Sequence, residues 1–273
     1  MELRLTFRNK VDVCWQKQLR DKFNSEGVPP VPHLKVGNAI VRPITREMAK
    51  QIILKYEWLG TLGGNPTRFY GIFFGSFCAG VTCWAVGGWS MPAISKMLGV
   101  GGNEISYLCR GACTHWAPKG TNSKLISVSS RMEKAHSKIA IAFSDTDAGE
   151  IGTVYQAANW TFLGGGSVWV QWVTPNGVIQ NLNAMTRMAK ARKLTTAVFF
   201  NKCRLAGWTT QKSNPKGRYV YILDRTDKRL IDKVEAMRQP YPKRGTGETD
   251  NAAHSHAQTG GASPTVPLLN NGS

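Results

Sequence analysis

The residues with the clearest chemical potential lie in the segment from Ser144 to Gly164, which reads SDTDAGEIGTVYQAANWTFLG. The apolar run Ile139–Phe143 precedes it and predicts a buried strand that ends where the polar residues begin. A helical stretch, Glu150–Ala158, follows and carries Tyr155. A carboxylate at a strand end and a phenol on the next helix can face one cleft, where the first orients an amine or accepts its proton and the second acts as a general acid. We therefore predict catalytic roles for Asp145 and Tyr155.

Each of these residues also has a purely structural interpretation. An aspartate at a strand-to-loop junction is a common turn former, and a tyrosine on an amphipathic helix more often packs in the core. Arg110 is the third catalytic candidate and lies in a predicted strand, Glu104–Thr114. A guanidinium in a buried strand needs a partner, which is either an internal carboxylate or a phosphate group of a ligand.

Four residues form a candidate site for a transition metal such as iron. Cys109, Cys113 and His115 occur at alternate positions of strand-like sequence, so we expect their side chains to share one face. Glu57, from the preceding predicted helix, could add a fourth ligand. Thiolate and imidazole ligands suit transition metals, but the sequence has neither a CxxC nor an HxxxH spacing. A role in packing is therefore the alternative.

Four blocks of the sequence resemble the Mom family of phage DNA-modification proteins, within the broader GNAT superfamily of acetyltransferases. The resemblance runs from about residue 40 to about residue 221 and rests on Arg68-Phe-Tyr-Gly, Leu108–Trp116, Ala117–Ser127 and Ser144–Gly164. It implies an α/β fold with a GNAT-like mixed, mostly antiparallel central sheet flanked by helices. The alternation of predicted strands and helices favours an α/β sheet independently.

The same resemblance implies an enzyme that modifies the N6 amine of adenine in DNA, giving methylcarbamoyladenine, and so protects the DNA from host restriction. It also implies double-stranded or locally opened DNA as the partner and acetyl-CoA or a related acyl donor. Acetyl transfer alone cannot give this product, because acetyl has carbon where methylcarbamoyl has nitrogen on the carbonyl. Two other functions stay open: a conventional N-acetyltransferase acting on a protein or small amine, and a catalytically silent DNA-binding protein on the same scaffold.

A loop before a predicted helix is the candidate donor-binding element. In GNAT enzymes this loop binds the pyrophosphate of coenzyme A through backbone amides at the helix N-terminus. By resemblance, the corresponding residues here are Pro118, Lys119, Gly120, Thr121, Asn122, Ser123 and Ser127. The usual superfamily pattern, Arg or Gln followed by Gly-x-Gly/Ala, is retained only at Gly120. The alternative is an ordinary capped helix start.

Charge points to a polyanionic partner. The chain has 35 Lys and Arg against 17 Asp and Glu, a formal net charge of +18, which favours nucleic acid over a merely soluble basic surface. Residues 187–244 hold 16 Lys or Arg against four Asp or Glu, so most of the surplus lies there. We predict phosphate contacts by Lys212, Lys216 and Arg218, around a proline–glycine loop, and stacking of Tyr219 on a displaced base.

Composition divides the chain into three parts. Residues 1–38 form a mixed lead-in and linker, residues 39–244 form the catalytic domain with its basic C-terminal region, and residues 245–273, without Lys, Arg or aromatic residues, are expected to be disordered. No secretory signal is recognisable and no apolar run approaches the length of a membrane span. The six Cys form no CxxC pair, so we expect reduced thiols in a cytoplasm, which for a phage protein is that of the host.

Overall fold

A seven-stranded mixed sheet lies at the centre of this computed structural model, which describes residues 14–30, 34–63, 65–87 and 91–243. In spatial order its strands are β1 (Ile40–Pro43), β2 (Arg68–Phe74), β3 (Phe77–Val86), β4 (Ile105–Cys113), β5 (Ile139–Ser144), β10 (Gly217–Ile222) and β6 (Thr161–Gly165). Neighbouring strands are antiparallel except for β4 and β5, which are parallel. The predicted mixed, mostly antiparallel sheet is therefore confirmed.

Helices cover both faces of this sheet. They are α1 (Trp15–Asp21), α2 (Arg46–Tyr56), α3 (Pro92–Leu98), α4 (Thr121–Met132), α5 (Thr153–Ala157) and α8 (Lys228–Ala236). Side chains alternate between faces along a strand, so Ala112 of β4 packs in one core with Ile53 of α2, while its neighbour Cys113 packs in another with Leu125 of α4. Because helices cover both faces of the sheet, the central strands carry apolar side chains on both sides.

The parallel strands β4 and β5 pair over only three positions and then separate. The paired residues run from Ile105↔Ile139 to Tyr107↔Ile141. Beyond them, β4 continues to Cys113 beside β3, with a bulge that leaves Cys109 without a partner in the register. We call the gap between residues 108–113 of β4 and 142–144 of β5 the fork. Loops that follow parallel strands meet at the same edge of a sheet, so the fork is where a ligand is expected.

A separate small sheet is formed by the segment that lies between β6 and β10 in the sequence, and we call this segment, residues 166–216, the insert. It contains β7 (Val170–Val173), β8 (Ile179–Asn181), α6 (Leu182–Ala191), α7 (Thr196–Leu205) and β9 (Thr209–Lys212). The strands pair in the order β8-β7-β9. Trp172 of β7 lies at the centre of the insert's own core with Met185, Phe199 and Cys203.

Part of the lead-in packs on α2. Gln16 of α1 donates a hydrogen bond to the carbonyl of Tyr56, and Lys55 forms an ion pair with Glu26 at 2.5 Å. The predicted disordered tail, residues 245–273, lies outside the described residues. Within the described ranges, no helix combines the length and the apolar character needed to cross a bilayer.

Candidate functional site

The open end of the fork collects ionisable side chains from four elements. Glu57 follows the last residue of α2, Arg110 belongs to β4, Glu150 lies in the loop after β5, and Tyr155 belongs to α5. Arg110 and Glu150 both act on the pKa of Glu57, and the two glutamates both act on that of Tyr155. These mutual effects place the four side chains in one electrostatic environment, which we take as the candidate active site.

Glu57 is the member of this group best suited to accept a proton. It is 6% exposed, and burial raises its pKa to about 7, although the Arg110 guanidinium and the Leu59 and Gly60 amides oppose that rise. Its Oε2 lies 3.7 Å from Nε of Arg110 and has no hydrogen-bond partner among the described residues. A carboxyl group with this pKa is part ionised near neutrality, and its Oε2, which makes an ion-pair contact with Arg110 but no hydrogen bond, retains the capacity to accept one.

Arg110 finds its partner inside the protein. Besides its contact with Glu57, its Nε donates to the carbonyl of Thr61 at 3.0 Å and its Nη1 to the carbonyl of Cys109 at 2.6 Å. Of the two partners that the sequence left open, an internal carboxylate or a phosphate, the structure contains the carboxylate. Arg110 therefore orients Glu57 and moderates its charge.

Glu150 ties the loop after β5 to the end of α2. Its Oε1 accepts a hydrogen bond from Nε1 of Trp58 at 3.2 Å, and its Oε2 accepts one from the backbone N–H of Asp145 at 3.0 Å. Burial raises its pKa, and the Asp145 amide opposes that rise. With both oxygens engaged, Glu150 serves to position the loop and adds negative charge beside Glu57.

Tyr155 stands in a cluster of aromatic rings at the side of the fork. Its ring centroid lies 5.5 Å from that of Trp160 and 5.1 Å from that of Tyr219. Burial raises the pKa of its hydroxyl, and Glu150 raises it further, so the phenol stays protonated and can act only as a proton donor in its resting form. No other described residue forms a hydrogen bond with this hydroxyl in the structure. The carboxylates that act on this phenol are Glu150 and Glu57 rather than the predicted Asp145, and the catalytic role of Tyr155 stays a prediction.

Asp145 lies at the rim of the site rather than at its centre. Its Oδ2 is 2.6 Å from Nζ of Lys216, and its Oδ1 accepts a hydrogen bond from the N–H of Asp147 at 3.2 Å. The structure therefore pairs a predicted catalytic residue with a predicted DNA-binding residue. Asp145 also forms the turn that the sequence offered as its alternative role, since it caps the short helical turn at residues 146–148.

The donor loop enters α4 through Gly120, whose φ of +92° favours glycine. Thr121 donates through its Oγ1 to the carbonyl of Pro118 at 2.7 Å, so it stabilises the loop itself. Among the described residues, the backbone N–H groups of Asn122 and Ser123 have no partner, and Oδ1 of Asn122 is buried without one. Free N–H groups at a helix N-terminus suit a phosphate, and an unpartnered amide oxygen suits an amide donor, so these residues fit a coenzyme A type of ligand.

The other predicted donor-loop residues differ in availability. Lys119 is exposed beside the helix start, where a cation can approach a phosphate. Ser127 lies farther along α4, and its Oγ accepts a hydrogen bond from Nη1 of Arg131 at 2.8 Å. Lys124, which the sequence did not single out, donates from Nζ to the carbonyls of Val36 and Gly37.

The four predicted DNA-binding residues do not share one surface. Lys212 on β9 and Lys216 are exposed, whereas Arg218 is half-buried and donates to the carbonyl of Leu163 at 3.1 Å. Tyr219 is completely buried, and its hydroxyl donates to the carbonyl of Ile151 at 2.6 Å. The prediction that Tyr219 stacks on a displaced base is therefore wrong in this structure, because its ring supports Tyr155 from within the core.

The bulge in β4 breaks the alternation on which the metal prediction depended. Cys113 packs toward Leu125 of α4, whereas Cys109 acts on the pKa of Cys83, which lies on the α2 side of the sheet. The prediction that Cys109, Cys113 and His115 share a face is wrong for this reason. Burial raises the pKa of both predicted cysteine ligands to about 12, so they are thiols in the protein as it stands.

The two remaining metal candidates have other partners. The His115 ring forms hydrogen bonds with the hydroxyl of Tyr56 at 3.0 Å and, from Nε2, with the carbonyl of Gly27 at 2.7 Å. Glu57 belongs to the fork with Arg110. Within the described ranges, no three His, Cys, Asp or Glu side chains are grouped as metal ligands.

Sequence reasoning missed Glu150 and gave Glu57 a different role. The sequence did contain a signal for Glu150: it is the only acidic residue between Gly149 and Gly152, in the segment already singled out. Both glycines have a positive φ in the structure. No sequence signal could give the pKa of Glu57, because its burial arises from elements far apart in the chain.

Solved acetyltransferases are similar to this chain in structure. An N-acetyltransferase from Staphylococcus aureus Mu50 has 9% sequence identity and a TM-score of 0.37, and the match covers 68% of this chain and 97% of that one. Arabidopsis thaliana NAA60 in complex with acetyl-CoA has 11% identity and a TM-score of 0.40, with 68% and 99% covered. A comparison with curated proteins gave no match. The profile of the Mom protein family matches residues 38–243, about three quarters of the sequence, and the chain belongs to that family.

Proposed function

We propose that this protein modifies the N6 amine of adenine in DNA by transfer of a carbonyl-containing group, giving the methylcarbamoyl type of product expected from the family. The observation that carries the proposal is the fork itself: Glu57 is buried, has an oxygen without a hydrogen bond, and is close enough to the protonated phenol of Tyr155 to act on its pKa. One group can accept a proton and the other can donate one, which group transfer to an amine requires.

The chemistry of adenine explains why such a base is needed. The lone pair of N6 is delocalised into the ring, so the amine is a weak nucleophile and must lose a proton as its new bond forms. The Oε2 of Glu57 would take that proton, and a pKa of about 7 keeps enough of the carboxylate ionised at neutral pH. Arg110 would hold the carboxylate in place, and Tyr155 would hold a proton at its Oη for a leaving group.

An acyl-CoA donor, when bound, would supply an activated carbonyl carbon: the new bond to N6 would replace the bond from that carbon to sulfur, and the coenzyme A thiol would leave. Transfer from the acetyl ester gives acetyladenine, so the methylcarbamoyl product requires a donor whose carbonyl already carries the methylamino nitrogen. The amides of Asn122 and Ser123 and the ammonium of Lys119 would hold its phosphates, and the separated backbone of β4 would border its extended arm. The buried apolar walls of the fork would exclude water, which competes with an amine for an activated carbonyl.

The charge distribution supports DNA as the substrate. From Ile151 to Leu223 the sequence contains no Asp or Glu, and the exposed Lys216 stands at the rim of the site. Phosphates would meet this basic surface while the target base enters the fork. An adenine in a duplex must leave the stack, or the duplex must open, before its amine can reach Glu57. By family resemblance we place this reaction in the cytoplasm of a phage-infected host.

Nucleoside mass spectrometry tests the proposal. DNA co-expressed with the full chain should yield a deoxyadenosine of increased mass, and the added mass distinguishes an acetyl from a methylcarbamoyl group. Glu57→Gln and Tyr155→Phe should each abolish the modified nucleoside, whereas Glu47→Gln, which removes an exposed carboxylate from the same helix as a matched control, should not. Unchanged DNA beside soluble wild-type protein would overturn the proposal, and acetylation of proteins in its place would assign a conventional N-acetyltransferase.

A further inference from the structure

The insert is a basic unit with a core of its own. Residues 166–216 contain eight Lys or Arg and no Asp or Glu. Its helices pack on Trp172 through Met185, Ala189, Phe199 and Cys203, and the ring of Phe200 lies 4.8 Å from that of Trp172. The insert therefore has its own apolar core, while its cations, with no acidic residue among them in the segment, give it a positive charge that suits a polyanionic partner.

Two helices of the insert form a helix–turn–helix. Each begins with a side-chain cap: Asn181 accepts from the N–H of Ala184 at 2.8 Å before α6, and Thr195 accepts from the N–H of Val198 at 3.3 Å before α7. Only residues 192–195 connect the helices, and Lys193 in this connection has a positive φ of 54°. A turn of this length also joins the two helices of DNA-binding helix–turn–helix domains, in which the second helix lies in the major groove.

The outer face of α7 is exposed and chemically mixed. Val198, Asn201, Lys202 and Leu205 follow helical i, i+3, i+4, i+7 spacing, and all four are exposed. Val198 is 46% exposed and Leu205 is 82% exposed, so two apolar side chains flank an amide and an ammonium. Neither side chain belongs to the insert's core, so packing within the insert does not explain these two exposed apolar groups.

We propose that α7 of the insert reads base edges in the major groove of double-stranded DNA and so selects the sequence in which the target adenine is modified. The last part of this inference rests on the proposed function, whereas sequence-selective binding does not. The chemistry of the face matches base edges: the amide of Asn201 can bond to adenine N6 and N7, Lys202 can donate to guanine, and Val198 and Leu205 can contact thymine methyl groups.

Size and charge agree with this placement. A helix of ten residues is about 15 Å long and, with side chains, roughly 10–12 Å across, which fits a major groove about 12 Å wide. Arg187 and Lys190 on α6 and Lys193 in the turn are exposed, which suits contacts to the phosphates that border the groove. These cations would set affinity, while α7 would set sequence preference.

The insert is also fixed to the rim of the candidate active site. Asp147, in the loop after β5, accepts hydrogen bonds from Nδ2 of Asn214 at 2.8 Å and from Nε2 of Gln171 at 3.3 Å. Thr146 donates to the carbonyl of Pro215 at 3.1 Å, and Lys216 pairs with Asp145. Because the same loop carries Glu150, DNA bound by the insert would be held at a fixed position relative to the fork.

Selection from a pool of random duplexes tests the inference with the full chain. Wild type should enrich a short motif, and Asn201→Ala should lose about 5- to 150-fold discrimination at one or two positions of it while binding the random pool as before. The triple variant Arg187→Ala, Lys190→Ala, Lys193→Ala should bind all duplexes more weakly, with a salt slope reduced by about three. Lys228→Ala on α8, outside the insert, is the matched control for an exposed cation and should change neither property.

The outcomes separate this inference from the proposed function. If co-expressed DNA carries modified adenine but wild type enriches no motif, or Asn201→Ala enriches the same one, α7 does not read sequence and the inference fails alone. If α7 variants change the motif while no nucleoside is modified, the proposed function fails alone. If Leu205→Ser leaves DNA selection intact and instead dissociates a dimer in solution, the face is an interface between copies and the inference is overturned.

Discussion

Glu57→Gln should make this protein more stable at alkaline pH, although it removes one member of an ion pair. Burial raises the pKa of Glu57 from 4.5 to about 7, so the folded protein binds this proton more tightly than the unfolded chain does. The stability linked to this proton is fully present below the unfolded pKa and is lost as the pH rises through the folded pKa. Glutamine resembles the protonated acid and cannot ionise, so the variant escapes this loss.

The size of the effect follows from the shift. About 2.5 pKa units at 1.36 kcal/mol each correspond to about 3.4 kcal/mol, of which about 2.5 kcal/mol falls between about pH 5 and about pH 8.5. The free energy of unfolding of Glu57→Gln, minus that of wild type, should rise by this amount across the range. For a folded unit of this size, the corresponding change in melting temperature is roughly 5–10 °C.

Urea denaturation at several pH values measures the difference directly. Other titrating groups are common to both proteins and cancel in the subtraction. Glu47→Gln, on the first turn of the same helix and exposed, controls for the loss of one negative charge. A difference that stays constant with pH, or one that falls as pH rises, would mean that Arg110 outweighs burial and stabilises the charged carboxylate, contrary to our reasoning.

Three further predictions concern the surroundings of the site. Tyr155→Phe should abolish adenine modification while duplex affinity in a fluorescence anisotropy titration stays within about twofold, because the phenol packs in the aromatic core cluster and phenylalanine keeps its ring. Equal losses of both would refute its chemical role. Glu133→Ala should destabilise the fold by about 3–5 kcal/mol in urea denaturation. The Glu133 carboxylate lies 2.6 Å from the partly buried Arg68, and its removal leaves that guanidinium without a counter-charge. A loss below about 1 kcal/mol would contradict this. Gly152→Ala should reduce both stability and activity. Gly152 has a backbone φ of +68°, which favours glycine, and a Cβ there would lie 2.4 Å from the Tyr219 ring. An unchanged melting temperature would contradict this.

The sequence predicted local elements well because their signals are local. The hairpin of β2 and β3 occupies the predicted residues, Arg68–Phe74 and Phe77–Val86, on either side of a two-residue turn at Gly75. The strand before the catalytic segment begins at Ile139 as predicted. Apolar runs bounded by turn residues are sufficient to define such strands.

Other features depend on contacts between distant segments and could not be read from spacing. The bulge at Cys109 changes the face on which a side chain lies without any mark in the sequence, and it removed the predicted metal face. The small sheet that the insert forms was missed because its strands are short. The strand Ile179–Asn181, for example, has only three residues. The basic composition of residues 187–244 was recognised, but composition does not indicate which cation is exposed, as the half-buried Arg218 of β10 illustrates.

The two ends of the insert lie side by side: the N–H of Gly166 donates to the carbonyl of Lys216 at 2.7 Å, and Gly165 is opposite Gly217 in the pairing of β6 with β10. An ancestral chain with a tight hairpin at this point could therefore have acquired the whole segment without disturbing the strands on either side. Closing a long loop between adjacent ends costs little more conformational entropy than closing a short one. The same geometry makes the segment exchangeable. With the roles proposed above for the insert and the fork, target preference and chemistry can change separately, and a segment from a relative transplanted at these two glycines should redirect the modification to new sites.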